Sequence, residues 1–125
     1  MHVPQTEIVL RHAGVELVRV MLSPGEYVIG RAHDADICVE TPVLSRQHAR
    51  LTIHHDHLLL EDLASSNGTF VNEQPIVEAT RLFPNQSIRL GPDIALEVRH
   101  HRTAAAPGVS LAPGQAAIAR HRPFR

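Results

Sequence analysis

Short apolar runs in this chain are cut off, one after another, by glycine, proline and asparagine, and none carries an apolar stripe at helical spacing between recognisable caps. That punctuation limits the fold more than any other feature. An amphipathic helix needs apolar residues recurring every 3.6 positions over several turns. A strand needs only alternation, and closely spaced turn residues end an element before it reaches helical length. The expected strands are 6–10 and 17–21 around an Ala13-Gly14 turn, then 27–29, 37–39, 49–53, 58–60, 69–71, 76–77, 87–90 and 94–98. Within 49–53, Ala49, Leu51 and Ile53 alternate with Arg50 and Thr52, the period of a half-buried strand. Residues 54–57 are the expected hairpin tip. Many short strands at this spacing give an all-β domain, a sandwich or a barrel.

The chain has 125 residues, enough for one domain with little room for a second. Four aromatic residues, Tyr27, Phe70, Phe83 and Phe124, leave the core to aliphatic side chains and supply no stacking platform for single-stranded nucleic acid. Residues 1–99 hold eight Arg against thirteen acids, net −5, while residues 100–125 hold four Arg and no acid, net +4. An acidic domain is not the electrostatic footprint of a nucleic-acid binder. No apolar run approaches the roughly 20 residues of a membrane span, and no basic stretch followed by an apolar one marks a secretory leader. The single Cys38 excludes an internal disulfide framework and suits a reducing compartment. The expectation is a cytoplasmic protein without nucleic-acid or membrane partners. From Thr103 the composition turns to Ala, Pro and Gly, with too little large apolar surface to offset the entropy of ordering. The expected division is a domain over 1–102 and a flexible tail or linker over 103–125, with an order-prone end around 118–124.

Three polar clusters stand at strand ends: Gly30-Arg31, Ser45-Arg46-Gln47-His48 and Ser65-Ser66-Asn67-Gly68-Thr69. Loops at one end of a sandwich converge in space. Arg31 and Arg46 bring permanently charged planar donors, Ser45 and Ser66 bring hydroxyls, and Asn67 brings a donor and an acceptor suited to a peptide backbone. The clusters contain no carboxylate, so together they describe an anion site, of which a phosphate dianion is the strong case. Ser45 and His48 lack the orienting acid and oxyanion hole of a nucleophile–base pair. His54, His55 and His57 lie at a strand tip where neighbours point to opposite faces, a poor arrangement for a metal. No catalytic residue, metal or cofactor is expected.

In order and spacing, Gly30-Arg31, Ser45-x-x-His48 and Asp62-Leu63-Ala64-Ser65-Ser66-Asn67-Gly68-Thr69-Phe70-Val71-Asn72 closely resemble the forkhead-associated (FHA) domain, whose pattern is GR, SxxH and SxNGTxVN. The resemblance covers roughly residues 6–99. It implies a β-sandwich of two mainly antiparallel sheets whose loops at one end bind phosphothreonine-containing peptides in Ser/Thr kinase signalling or regulated assembly, without catalysis. It also implies roles. Arg31 is the main phosphate ligand, Ser45 donates its hydroxyl to the phosphate, and Arg46 contacts phosphate or peptide backbone. Ser66 lines the phosphate and methyl pocket, and Asn67 bonds the peptide backbone. Gly30, His48, Gly68 and Thr69 support the site. The chain departs from the family pattern at Glu73, where Gly often follows VN, and at Asn85-Gln86, where Gly-Asp is frequent. A phospho-independent scaffolding or oligomerisation domain on the same sandwich is the alternative reading.

Overall fold

A computed structural model describes the backbone of residues 5–101 and 110–111, and side chains through residue 99. Twelve strands are present among the described residues: β1 (Gln5–His12), β2 (Val15–Leu22), β3 (Gly25–Gly30), β4 (Ile37–Cys38), β5 (Ala49–Ile53), β6 (Leu58–Asp62), β7 (Thr69–Val71), β8 (Gln74–Pro75), β9 (Thr80–Leu82), β10 (Ile88–Leu90), β11 (Ile94–His101) and β12 (Ser110–Leu111). They form two sheets, ordered β12-β2-β1-β11-β10-β7-β8 and β4-β3-β5-β6-β9. Pairing is antiparallel except for β3 with β4 and β12 with β2. The fold is the expected all-β sandwich. No helix among the described residues is long and apolar enough to cross a membrane.

The alternating strands turn one face inward. Ile8 and Leu10, Val18 to Leu22 on alternate positions, Ile94 and Leu96 face Tyr27 and Ile29, Leu51 and Ile53, Leu58 and Leu60 across a core that is aliphatic but for Tyr27. Tyr27 is 1% exposed, and its hydroxyl donates to the Ser23 carbonyl at 2.7 Å, which satisfies its one polar group. In β5 the burial alternates as the sequence predicts, with Ala49, Leu51 and Ile53 inside. Outward faces are laced by ion pairs. Arg19 bridges Glu16 at 2.8 Å and Glu7 at 2.6 Å, Arg11 meets Glu97 at 3.1 Å, and Arg50 meets its cross-strand neighbour Glu61 at 2.9 Å.

Two strand expectations need correction. Residues 76–77 are not a strand, and Val77 is 93% exposed. The strand is β8, one turn earlier, because Asn72 and Glu73 both adopt positive φ (51° and 65°) and close a two-residue hairpin that pairs Val71 with Gln74. Pro75 is tolerated there because β8 is the sheet edge. The sequence reading also omits β9, whose Thr-Arg-Leu has a single inward apolar residue, Leu82. Of the segment 103–125, Ser110 and Leu111 are described, and they pair with Met21 and Leu22. The stretch 118–124 lies outside the described residues.

Candidate functional site

The first sheet–loop junction is set by a glycine. Gly30 ends β3 against the loop that precedes β5, and a Cβ built on it would stand 2.0 Å from the Arg46 carbonyl oxygen. No side chain fits in that gap, so the two backbone segments run in direct contact. Arg31 N–H donates to Ser45 O at 2.9 Å, Ala32 N–H to Arg46 O at 3.1 Å, and His48 N–H to Ile29 O at 2.9 Å. This ladder holds Arg31 beside Ser45 and Arg46. The Arg31 side chain is fixed in turn by its Nε, which donates to the Leu44 carbonyl at 3.0 Å and leaves both terminal amino groups directed elsewhere. Beneath it, the buried Cys38 Sγ lies 3.6 Å from the Arg31 carbonyl oxygen.

His48 is fully buried between the sheets. Its Nδ1 accepts from Ser45 N–H at 3.0 Å, so Nε2 carries the proton and donates to the Gly68 carbonyl at 2.8 Å. One imidazole therefore joins the loop before β5 to the loop before β7, across the two sheets. The same Gly68 oxygen accepts from Gly91 N–H at 2.8 Å, which brings in the end of β10. Gly68 itself sits at φ +86°, a backbone that L side chains rarely adopt.

The loop from Asp62 to Thr69 is organised around a carboxylate to which the sequence reading assigns no role. Asp62 accepts from Ser65 N–H at 3.1 Å, from the Ser65 hydroxyl at 2.5 Å and from the Thr69 hydroxyl at 2.6 Å. The Ser65 hydroxyl also accepts from Gly68 N–H at 2.9 Å. Burial opposes ionisation of Asp62, but the three hydrogen bonds outweigh it and hold the carboxyl below its ordinary value. Ala64, exposed in the same loop, sits at φ 55°, an unfavourable backbone for a residue with a Cβ. The spacing Asp62-x-x-Ser65 is the local signal that could reveal the cage, since Asp commonly receives nearby backbone donors in turns.

The outcome of this bracing is a depression of about 280 Å³ lined by Arg31, Ser45, Arg46, Ser66 and Asn67 together with Pro42, Val43 and Leu44. All five polar residues of the sequence-derived site thus come from three separate loops to one place. Three of them are already tied down. Ser66 N–H donates to the Ser45 hydroxyl at 2.9 Å, and the Asn67 amide nitrogen donates to Val43 O at 2.8 Å, leaving the Asn67 carbonyl oxygen as an acceptor. Neither Arg31 nor Arg46 has a carboxylate partner among the described residues, although five other arginines do. Chemically, the arrangement is a donor-rich cradle whose described lining holds no carboxylate.

Comparison with known proteins meets the same description. Residues 27–91 match the profile of the FHA domain. The FHA domain-containing protein FhaB of Mycobacterium tuberculosis is 30% identical over 92 residues, which cover 74% of this chain and 59% of FhaB. The chain thus corresponds to under two thirds of the length of that curated relative. The FHA domain of CT664 from Chlamydia trachomatis superposes with a TM-score of 0.67 at 30% identity, covering 75% of this chain and 95% of that one. A domain solved in work on phosphothreonine-dependent FHA domain interactions superposes with a TM-score of 0.66 at 31% identity, covering 78% and 99%.

Proposed function

The chain belongs to the FHA domain family, and from that premise we propose that it is a phosphothreonine-dependent peptide-binding module, acting in the cytoplasm in Ser/Thr kinase signalling or regulated assembly. The family is a binding module and not an enzyme. Arg31 is the principal phosphate ligand, through the terminal amino groups its anchored Nε leaves in place. Ser45 gives its hydroxyl proton to a phosphate oxygen while its oxygen keeps the bond from Ser66 N–H. Arg46, exposed on the lip, reaches phosphate or peptide backbone, and Ser66 lines the pocket for phosphate and γ-methyl. The Asn67 carbonyl oxygen accepts from a peptide N–H, and its amide steadies Val43. Gly30, His48, Gly68 and Thr69 hold these groups in register without touching the ligand. Residues 1–102 constitute the module and 103–125 a tail or linker.

A single observation carries this reading: two arginines without acids share one depression with two serines and an asparagine. A short peptide buries little area, so most of the affinity comes from the phosphate, on a micromolar scale or about −8 kcal/mol. Preference for threonine over serine rests on one methyl group, about 1 kcal/mol. Fluorescence anisotropy with a phosphothreonine peptide library and its unphosphorylated counterpart tests the proposal. Saturable binding of phosphorylated members alone is expected. Equal binding of both forms selects the phospho-independent scaffold instead.

A further inference from the structure

Eight arginines lie among the described residues with their side chains. Five are held by carboxylates and two line the depression described above. The eighth, Arg81 on β9, forms no ion pair among the described residues, although its charge is felt by Asp56. Its guanidinium carbon stands 5.2 Å from the centre of the Phe83 ring. Both side chains border a cleft of about 460 Å³, larger than the first depression and at the other pole, where the β5–β6 turn, the end of β9 and the start of β10 meet.

The cleft opens between the two sheets. Leu58 and Leu82 from one sheet and Ile88 and Val98 from the other form its apolar lining. Arg81, Arg99 and His57 stand on the rim with one carboxylate, Asp56, which His57 engages at 2.7 Å. The turn that closes the cleft adds no charge, because Phe83 N–H donates to the neutral Gln86 Oε1 at 2.7 Å. Phe83 is 55% exposed, a large aromatic surface left beside an open apolar recess. Such a combination of apolar floor, polar rim and exposed aromatic side chain is the anatomy of an interaction site.

We propose that this cleft is a second binding surface that takes an acidic segment of a partner protein, seating one aliphatic side chain between the sheets and laying a carboxylate on Arg81. Charge selects the occupant. Arg99 already faces Glu97 at 3.2 Å and Glu7 at 3.8 Å, which leaves Arg81 as the cation available to a ligand. The exposed guanidinium lies over the Phe83 ring, and its planar fork of donors suits a carboxylate. Because the two surfaces lie at opposite ends of the sandwich, one domain can hold a phosphorylated partner and an acidic partner at once.

The test is an amide NMR titration of the full chain with N-acetyl-Glu-Leu-Glu amide, alongside the Lys-Leu-Lys and Glu-Ala-Glu analogues. The expected result is a saturable shift at residues 57–58, 81–88 and 98–99, with residues 31, 45 and 67 unmoved. For so small a probe the Kd falls in the millimolar range. Lys-Leu-Lys produces no saturable shift, Glu-Ala-Glu binds more weakly, and Arg81→Ala weakens Glu-Leu-Glu about fivefold. Phe83→Ser, at an exposed position, weakens it as well, and the spectrum of each variant reports whether it is folded. No saturation up to about 10 mM, an equal response to the lysine probe, or indifference of folded Arg81→Ala overturns the proposal.

Discussion

On the outer face of the first sheet, Arg19 spans two glutamates and Arg11 meets Glu97; at the loop pole, Arg31 and Arg46 stand close together and meet no carboxylate among the described residues. The side chains are the same and both settings are partly open to solvent. On the sheet, each positive charge is answered within hydrogen-bonding distance, so little field escapes and each pair adds only a fraction of a kcal/mol. At the pole, two like charges share one lip within a region of net charge −5. Their mutual repulsion is a local expense that an arriving dianion turns into attraction. The contrast teaches that charge left unanswered, not charge as such, is what sets the loop pole apart from the sheet face and suits it to the phosphate role proposed for it.

Four substitutions test that contrast. Gly30→Ala drives a Cβ into the Arg46 carbonyl and should remove about 4 kcal/mol of stability or prevent folding altogether, as read by urea unfolding. Arg31→Ala should weaken phosphothreonine-peptide binding by about 3 kcal/mol, more than a hundredfold, while its midpoint of thermal unfolding stays near that of the wild type. Wild-type affinity in Arg31→Ala would show that the acid-free pair is not the ligand site. Asp62→Ala leaves three donors unpaired and should cost about 2 kcal/mol. Because the folded Asp62 pKa lies below its unfolded value, that stabilisation is complete above the ordinary carboxylate pKa of about 3.9. It is lost as pH falls through the folded value. Urea unfolding across an acid pH series should therefore show a loss in the wild type that is smaller in Asp62→Ala. Arg19→Ala, on the sheet face, should change stability by less than about 1 kcal/mol and leave peptide affinity untouched.

Much of this was legible in the linear chain because the relevant physics is local. Alternation in 49–53 and the turn residues at 13–14 and 54–57 place strands and hairpins without knowledge of their neighbours. The three polar clusters declare themselves by residue type at strand ends. What stayed hidden depends on contacts between distant segments. Leu44 receives the Arg31 Nε and Val43 receives the Asn67 amide through backbone carbonyls, which have no residue-type signature. The strand β9 is held as an edge by β6, with Leu58 opposite Leu82, and its own three residues carry almost no pattern. The β-branched Ile76-Val77 pair looked more strand-like than Gln74-Pro75, yet the turn at Asn72 and Glu73 decided the register. The cage around Asp62 was present in the sequence as a recognisable spacing and went unassigned.

The placement of Cys38 has a practical consequence. As the sole cysteine, wholly buried behind the Arg31 backbone, it is a built-in clock for that end of the molecule. A thiol reagent reaches the sulfur only when the surrounding structure opens, so its alkylation rate should report local opening beside the Arg31 backbone. A bound peptide that tightens these loops slows the clock, and one that docks elsewhere leaves it running unchanged.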